Sequence, residues 1–106
     1  MIFICVKWKV RPEHTDAWIA LTRDFTEATR AEEGNLFFEW SRSIDDPHQF
    51  VLIEAFREDA AEAHVTSEHF RRAQAELPGY IAETPLVRNV LMDGNHWDRL
   101  GEFAVT

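Results

Sequence analysis

The chain has 106 residues, a length that fits one domain with a small core. Its formal net charge of −8 argues against a nucleic-acid partner, because phosphate binding needs clustered Lys and Arg. Its single cysteine, Cys5, excludes an intrachain disulfide and fits a reducing compartment. No apolar run approaches the ~20 residues of a transmembrane helix. We therefore expect one domain over residues 1–106, cytoplasmic, with no nucleic-acid or membrane partner.

The first part of the chain predicts a strand, a helix and a second strand. Residues 2–10 alternate between an apolar side and a mixed side, which is typical of a strand. Pro12 is well placed to begin a helix, apolar residues then recur at helical spacing, and Gly34 is expected to close that helix as its C′ residue. Alternation returns from Leu36 to Ser43 and predicts the second strand, with Phe38 and Trp40 on one face.

The middle of the chain predicts a hairpin followed by a broken helix. The turn signal Asp45-Asp46-Pro47 joins the second strand to a third over residues 48–57. Residues 58–77 then read as helical in two pieces, with Thr66 or Ser67 as the internal N-cap.

The last strand completes a recognisable order of elements. Residues 86–92 predict a fourth strand, and a tail from 92 to 106 follows. The order β-α-β-β-α-β is that of a ferredoxin-like α+β fold, with helices on one face of an antiparallel four-stranded sheet. Strands two and three are apolar on both faces, so a single layer of helices leaves an apolar face uncovered. We therefore expect a homodimer in which two sheets pair into a dimeric α/β barrel. The aromatic residues of the tail could pack across the same interface.

Glu54 is the acid that stands out, because it lies within the apolar third strand. It shares strand parity with Phe50, Leu52 and Phe56, so it belongs to a mostly apolar face. Burial raises a carboxylate's pKa, and a cationic partner lowers it again. Glu54 is thus either an acid, a base or the orienter of a histidine, or else a buried acid satisfied by backbone amides or an arginine.

Two histidines follow in the helical stretch. His64 ends the first helical piece, where it is either a proton shuttle pointing between sheet and helices or a hydrogen-bonded helix terminus. His69 lies in the first turn of the next piece and is expected to be structural or exposed. The two are five residues apart, whereas imidazoles that share a helix face for zinc are four apart, so we expect no metal site.

Several aromatic residues are expected to lie between the sheet and the helices. They either enclose a flat aromatic ligand or form an ordinary core, and only a remaining cavity tells the two apart. The candidates for contact with a small aromatic substrate are Trp8, Phe25, Trp40, Phe56 and Phe70. The sequence contains no nucleotide-binding glycine motif, and Cys5 lies in a strand with no evident base, so neither a nucleotide cofactor nor a thiol nucleophile is expected.

Three short motifs, in order, resemble the antibiotic biosynthesis monooxygenase (ABM) domain family. They are Glu33-Gly34-Asn35-Leu36, the strand Phe50-Val51-Leu52-Ile53-Glu54-Ala55-Phe56, and Ala63-His64 with Ser67-Glu68-His69-Phe70. The resemblance extends from about Met1 to Met92. It implies a dimeric α+β barrel and a class of small oxygenases that act on quinols or polycyclic phenols without flavin, metal or haem, using O2 as co-substrate.

The resemblance also implies which residues to test. By motif position, Glu54 and His64 are carried over as catalytic candidates, while Phe56 replaces a frequent tryptophan. A haem-degrading subgroup uses a histidine ten residues beyond the position of His64; here that position is Gln74, a poor haem ligand. Two alternatives stay open: an isomerase or other acid–base enzyme acting on a small ketone, and a non-enzymatic ligand-binding stress protein.

Overall fold

Four strands and four α-helices follow one another in the order β-α-α-β-β-α-α-β in a computed structural model that describes residues 1–106. The strands are β1 (Ile2–Lys9), β2 (Asn35–Arg42), β3 (Gln49–Phe56) and β4 (Leu86–Leu91). The α-helices are α1 (Trp18–Leu21), α2 (Arg23–Arg30), α3 (Ala61–Val65) and α4 (Glu68–Glu76). Short 3₁₀ turns cover Pro12–His14, Leu77–Tyr80 and Gly101–Phe103. No helix has the length and apolar character needed to cross a bilayer.

The four strands form one antiparallel sheet in the order β2-β3-β1-β4. The predicted α+β, ferredoxin-like arrangement is confirmed. Ile4 on β1 pairs with Glu54 on one side and with Asn89 on the other, so these three residues form a row across the sheet. The register of β2 against β3 shifts between Asn35 and Phe37, which places Leu36 in an irregular step at the start of β2.

The helix predicted after Pro12 is not continuous. It begins as a 3₁₀ turn and then divides at Thr22 into α1 and α2. The buried Thr22 hydroxyl donates to the carbonyl oxygen of Trp18 at 2.9 Å, and this back-bonding of a threonine to the preceding turn bends helices. On the predicted apolar face Trp18 is buried and Phe25 is half-buried, and the buried threonines Thr22 and Thr26 lie beside them. The prediction of one continuous helix is wrong.

The predicted role of Gly34 as a helix C′ residue is wrong. The helix ends at Arg30, and Gly34 follows later, without a positive φ. Close packing explains the glycine at position 34, because a Cβ added there would lie 2.1 Å from the Cβ of Ala60. Gly34 thus allows the start of β2 to approach the entry to α3.

The second helical region is divided as predicted, and Ser67 is the cap. Its hydroxyl accepts from the backbone N–H of Phe70 at 3.2 Å and donates to the carbonyl oxygen of His64 at 2.6 Å. Ser67 has an extended backbone, with φ of −70° and ψ of 156°, and this interrupts the helical path between α3 and α4.

The core lies between the sheet and the helices. Trp18, Phe38, Leu52 and Phe56 are fully buried there, and the predicted parity of β3 is confirmed. The opposite face of the sheet carries no helix; Trp97 of the tail packs on it against Phe37, with ring centroids 5.1 Å apart.

Candidate active site

A cavity of about 550 Å³ lies between the helix-facing side of the sheet and the helices. Most of its wall is apolar, and its four polar side chains are Glu54, His64, Gln74 and Asn89. It opens along β4, where Val87 is half-exposed. A cavity of this size and character is typical of a small-molecule site.

Glu54 points from β3 into this cavity and is 6% exposed. Burial raises the pKa of its carboxyl from an ordinary value of 4.5 to about 7, and the negative charge of Glu32 contributes to the rise. No hydrogen bond reaches the carboxyl of Glu54, and the only basic atom within 4.0 Å of it is Nε2 of His64, at 3.8 Å. The charge of Glu54 therefore changes near neutral pH, and perturbed carboxyls of this kind cluster at functional sites.

His64 is 4% exposed and lies at the end of α3. Its Nδ1 is 2.7 Å from Oε2 of Glu32, while its Nε2 is 3.8 Å from Oε1 of Glu54. The second distance exceeds a hydrogen bond, so Glu32 rather than Glu54 orients the ring. Phe56 packs against the ring, with centroids 4.6 Å apart.

His69, which was expected to be a structural or exposed helix-start residue, shares the hydrogen-bond partner of His64. Its Nε2 lies 2.6 Å from the same oxygen of Glu32. A spacing of four brings two imidazoles together only on one continuous helix, whereas His64 and His69 lie on the separate helices α3 and α4. Because the helical path is interrupted at Ser67, both imidazoles converge on one carboxylate despite a spacing of five.

The same three side chains are the only group with a geometry suggestive of a metal site. The candidate ligand atoms of Glu32, His64 and His69 lie within 4.8 Å of one another. The N···O distances of 2.6 and 2.7 Å are those of hydrogen bonds. Ligands bound to zinc at ~2.0–2.1 Å in a tetrahedron are separated by about 3.3 Å. The cluster as it stands is a hydrogen-bonded one, and a metal would have to spread it.

Of the aromatic candidates, Trp8, Phe25 and Phe70 line the cavity. Trp40 and Phe56 do not. The indole N–H of Trp40 donates to the hydroxyl of Thr26 at 2.9 Å, which holds it in an aromatic cluster with Trp8 and Trp18. Phe56 is fully buried behind His64.

Sequence reasoning did not identify Glu32 and Asn89. Glu32 could have been found, because it stands two residues before Gly34, where the E-x-G pattern of the resembled family has its acid; the neighbouring Glu33 has an exposed side chain. Asn89 could also have been found, because it alternates with Val87 on the side of β4 that pairs with the cavity-facing residues of β1.

A family model described as "Antibiotic biosynthesis monooxygenase" matches residues 1–76. The chain is 28% identical over 83 residues to the Bacillus subtilis protein named "Putative monooxygenase YcnE", covering 78% of this chain and 81% of that relative.

Solved structures agree with this match. The "Putative antibiotic biosynthesis monooxygenase from Nitrosomonas europaea" superposes with a TM-score of 0.79 at 28% identity, over 89% of this chain and 100% of that one. A Deinococcus radiodurans structure reaches a TM-score of 0.81 at 19% identity, over 95% of this chain and 100% of that one, a likeness that concerns the fold alone. The resemblance predicted from the sequence is confirmed: the chain belongs to the antibiotic biosynthesis monooxygenase family.

Proposed function

We propose that this protein is a monooxygenase that oxidises a quinol or another phenolic aromatic compound with O2. The observation that carries the proposal is the pairing of His64 and Glu54 at one place in the wall of a largely apolar cavity. Phenols become strong electron donors when deprotonated, so such a substrate needs a dry pocket and a base more than it needs a redox cofactor. In this proposal O2 is the co-substrate and the substrate supplies all the electrons.

His64 is the base in this proposal. Its Nδ1 donates to Glu32, which leaves Nε2 as the acceptor on the side of Glu54. The substrate hydroxyl transfers its proton to Nε2, and the ionised carboxylate of Glu54 stabilises the imidazolium that forms. Glu54 acts through charge, because the 3.8 Å separation is too long for a hydrogen bond.

The deprotonated ring then reacts with O2. The ring donates an electron to O2, and a C–O bond forms at a ring carbon that carries hydrogen. Loss of that hydrogen as a proton and heterolysis of the O–O bond leave a carbonyl oxygen on the ring. The second oxygen atom takes up the two protons and leaves as water. A quinol with a free ring C–H thus gives a hydroxyquinone, and a phenol gives a quinone.

The polar ends of the cavity suit a ring with oxygen on two sides. Glu54 and Asn89 flank Ile4 in the same row of the sheet, two strand spacings or about 10 Å apart. A flat ring between them would present one hydroxyl to His64 and another oxygen to the amide of Asn89. Trp8, Phe25 and Phe70 supply apolar and aromatic wall.

Isomerisation of a phosphorylated ketone is the weaker alternative. The cavity wall contains neither Lys nor Arg, so a phosphate group would find no cation there. Turnover of such a ketone without O2 is the result that would favour it.

Oxygen uptake with a reduced naphthoquinone tests the proposal. O2 uptake is expected to be faster with the wild-type protein than with the quinol alone. In His64→Ala the protein-dependent part of that rate should fall by ~10²–10⁴-fold. Autoxidation yields hydrogen peroxide, so peroxide assayed in parallel separates it from oxygenation. Equal uptake by the two proteins would refute the role of His64.

We further propose that the protein is a homodimer, joined through the sheet face that lacks helices. Val90 is half-exposed on that face, and the tail adds exposed Trp97, Leu100 and Phe103. Trp97 already packs on Phe37 at one end of the face, so tail and sheet form a continuous apolar surface. Large exposed apolar patches usually mark an interaction surface, and a second sheet of the same shape would cover this one.

A further inference from the structure

Glu32 holds the proposed base from outside the cavity. Its Oε2 accepts from Nδ1 of His64 at 2.7 Å and from Nε2 of His69 at 2.6 Å. Both distances are at the short end of the range for N–H···O bonds, as expected when the acceptor is a carboxylate. One carboxylate oxygen therefore anchors two imidazoles from two different helices.

This contact determines which nitrogen of His64 is free. A carboxylate accepts hydrogen bonds and donates none, so Nδ1 of His64 must carry the hydrogen. A neutral imidazole has one N–H only, and its Nε2 then carries a lone pair. That lone pair lies on the side of Glu54, which lines the cavity. With the hydrogen on Nε2 instead, the lone pair would be on Nδ1, against Glu32, and the nitrogen on the cavity side could not accept a proton from a substrate.

His69 completes the arrangement by fixing Glu32. The exposed fraction of the side chain rises from 5% in His64 to 15% in Glu32 and 21% in His69, so the cluster extends from the interior towards the surface. The Ser67 cap holds the junction from which both imidazoles project. A second donor on the same oxygen restricts the rotation of the Glu32 carboxylate.

We propose that Glu32 and His69 are positioning residues of this site: Glu32 holds His64 in the tautomer with hydrogen on Nδ1, and His69 holds Glu32. The inference rests on the proposed function only for the use that His64 makes of its lone pair. When Nε2 takes the hydroxyl proton of the substrate, the imidazolium keeps its Nδ1–H bond to Glu32, and no proton leaves that bond.

The direct test uses two-bond ¹⁵N–¹H NMR, at a pH where the imidazole of His64 is neutral, to determine which of its ring nitrogens carries the hydrogen. In the wild-type protein we expect a protonated Nδ1 and an unprotonated Nε2. Glu32→Gln keeps the shape but offers an amide, and we expect the form with hydrogen on Nε2 to gain population. We expect kcat to fall by ~10²–10⁴-fold, as when a histidine base adopts the wrong tautomer, with KM within about twofold. His69→Gln should cause a smaller change in the same direction.

Glu33→Gln is the matched control. Its side chain is 91% exposed and its carboxylate lies 4.0 Å from Arg57, away from both histidines. This variant should leave the ring signals of His64 and kcat unchanged. Far-ultraviolet circular dichroism and thermal unfolding of each variant separate a local change from a loss of fold.

Three results would overturn the inference. One is a wild-type His64 that carries its hydrogen on Nε2, a measurement that needs no variant to fold. Another is a Glu32→Gln protein with unchanged ring signals and kcat. The third is a Tm that ZnCl2 raises in the wild type but not in Glu32→Gln, because the cluster would then be a metal site.

Failure of the inference and failure of the proposed function are distinguishable. Suppose that the tautomer of His64 changes in Glu32→Gln but the wild-type protein oxygenates no ring. This result would refute the proposed function and leave the positioning role intact. Ring oxygenation by a wild-type protein with hydrogen on Nε2 of His64 would refute the positioning role alone.

Discussion

Nε2 of His64 and Oε1 of Glu54 lie 3.8 Å apart in the wall of an apolar cavity. The two groups are too far apart for a hydrogen bond and close enough for the charge of one to act strongly on the other. Burial keeps the pKa of Glu54 near 7, so that charge changes within the neutral range. One expectation about activity and one about stability depend on this relationship, and three more concern a close contact, a helix cap and the proposed dimer.

The first concerns the pH dependence of turnover. Glu54 is ionised above its pKa of about 7, and only the ionised form stabilises the imidazolium. We therefore expect kcat to rise with pH between about 6 and 8 in the wild type. Glu54→Gln should remove this rise and lower kcat at pH 8 by about 10- to 100-fold. A Glu54→Gln profile that keeps the wild-type inflection would assign that inflection to another group.

The second concerns stability, which should fall with rising pH, whereas turnover should increase. The folded state binds the Glu54 proton more tightly than the unfolded state, because the pKa is about 7 when folded against an ordinary 4.5. Glu54 therefore lowers the free energy of unfolding progressively as pH rises from about 4.5 to 7, and by a constant amount above that. The full effect is about 3 kcal/mol. Urea unfolding should show wild type losing stability relative to Glu54→Gln across this window; parallel curves would contradict the burial argument.

The third concerns the close approach at Gly34. A Cβ there would lie 2.1 Å from that of Ala60, so Gly34→Ala forces the backbone apart and should cost about 1–3 kcal/mol. Gly79→Ala is the control, since its added methyl meets no atom within 4 Å. Chemical denaturation compares them. Similar midpoints for the two variants would mean that the contact relaxes without cost.

The fourth concerns the cap between α3 and α4. Ser67→Ala removes the acceptor for the N–H of Phe70 and should cost about 1 kcal/mol. Because the same hydroxyl holds the carbonyl of His64, kcat should fall as well. Ser67→Asp, which retains an N-cap acceptor, should recover most of the stability without restoring the bond to the His64 carbonyl. Full activity in Ser67→Ala would show that the histidines are positioned without this junction.

The fifth concerns the proposed dimer. Ile53 lies on the face of β3 opposite to Leu52 and Glu54, which face the helices, so Ile53→Glu puts a charge on the uncovered face. Light scattering should report a dimer for the wild type and a monomer for Ile53→Glu. Ile44→Glu, at a fully exposed turn position, should stay dimeric. A monomeric wild type would refute the proposal.

The sequence predicted the sheet, the buried position of Glu54 and the placement of His64, because strand alternation and short motifs depend on local spacing. It did not predict the shared carboxylate. Glu32 is distant from both histidines in the chain, and their convergence depends on the helix break at Ser67, which the spacing rule for one helix ignores. Likewise, position 34 requires glycine because Ala60, which is distant in the sequence, lies too close for a side chain there.

The central claim is that the cavity beside His64 and Glu54 inserts one oxygen atom from O2 into a phenolic ring. The most direct measurement is mass spectrometry of the product formed from a reduced naphthoquinone under ¹⁸O2. We predict one ¹⁸O atom on the ring with the wild type and almost none with His64→Ala. Quinone without ¹⁸O in both reactions, with matching yields of labelled hydrogen peroxide, would mean that only autoxidation occurs and would contradict the claim.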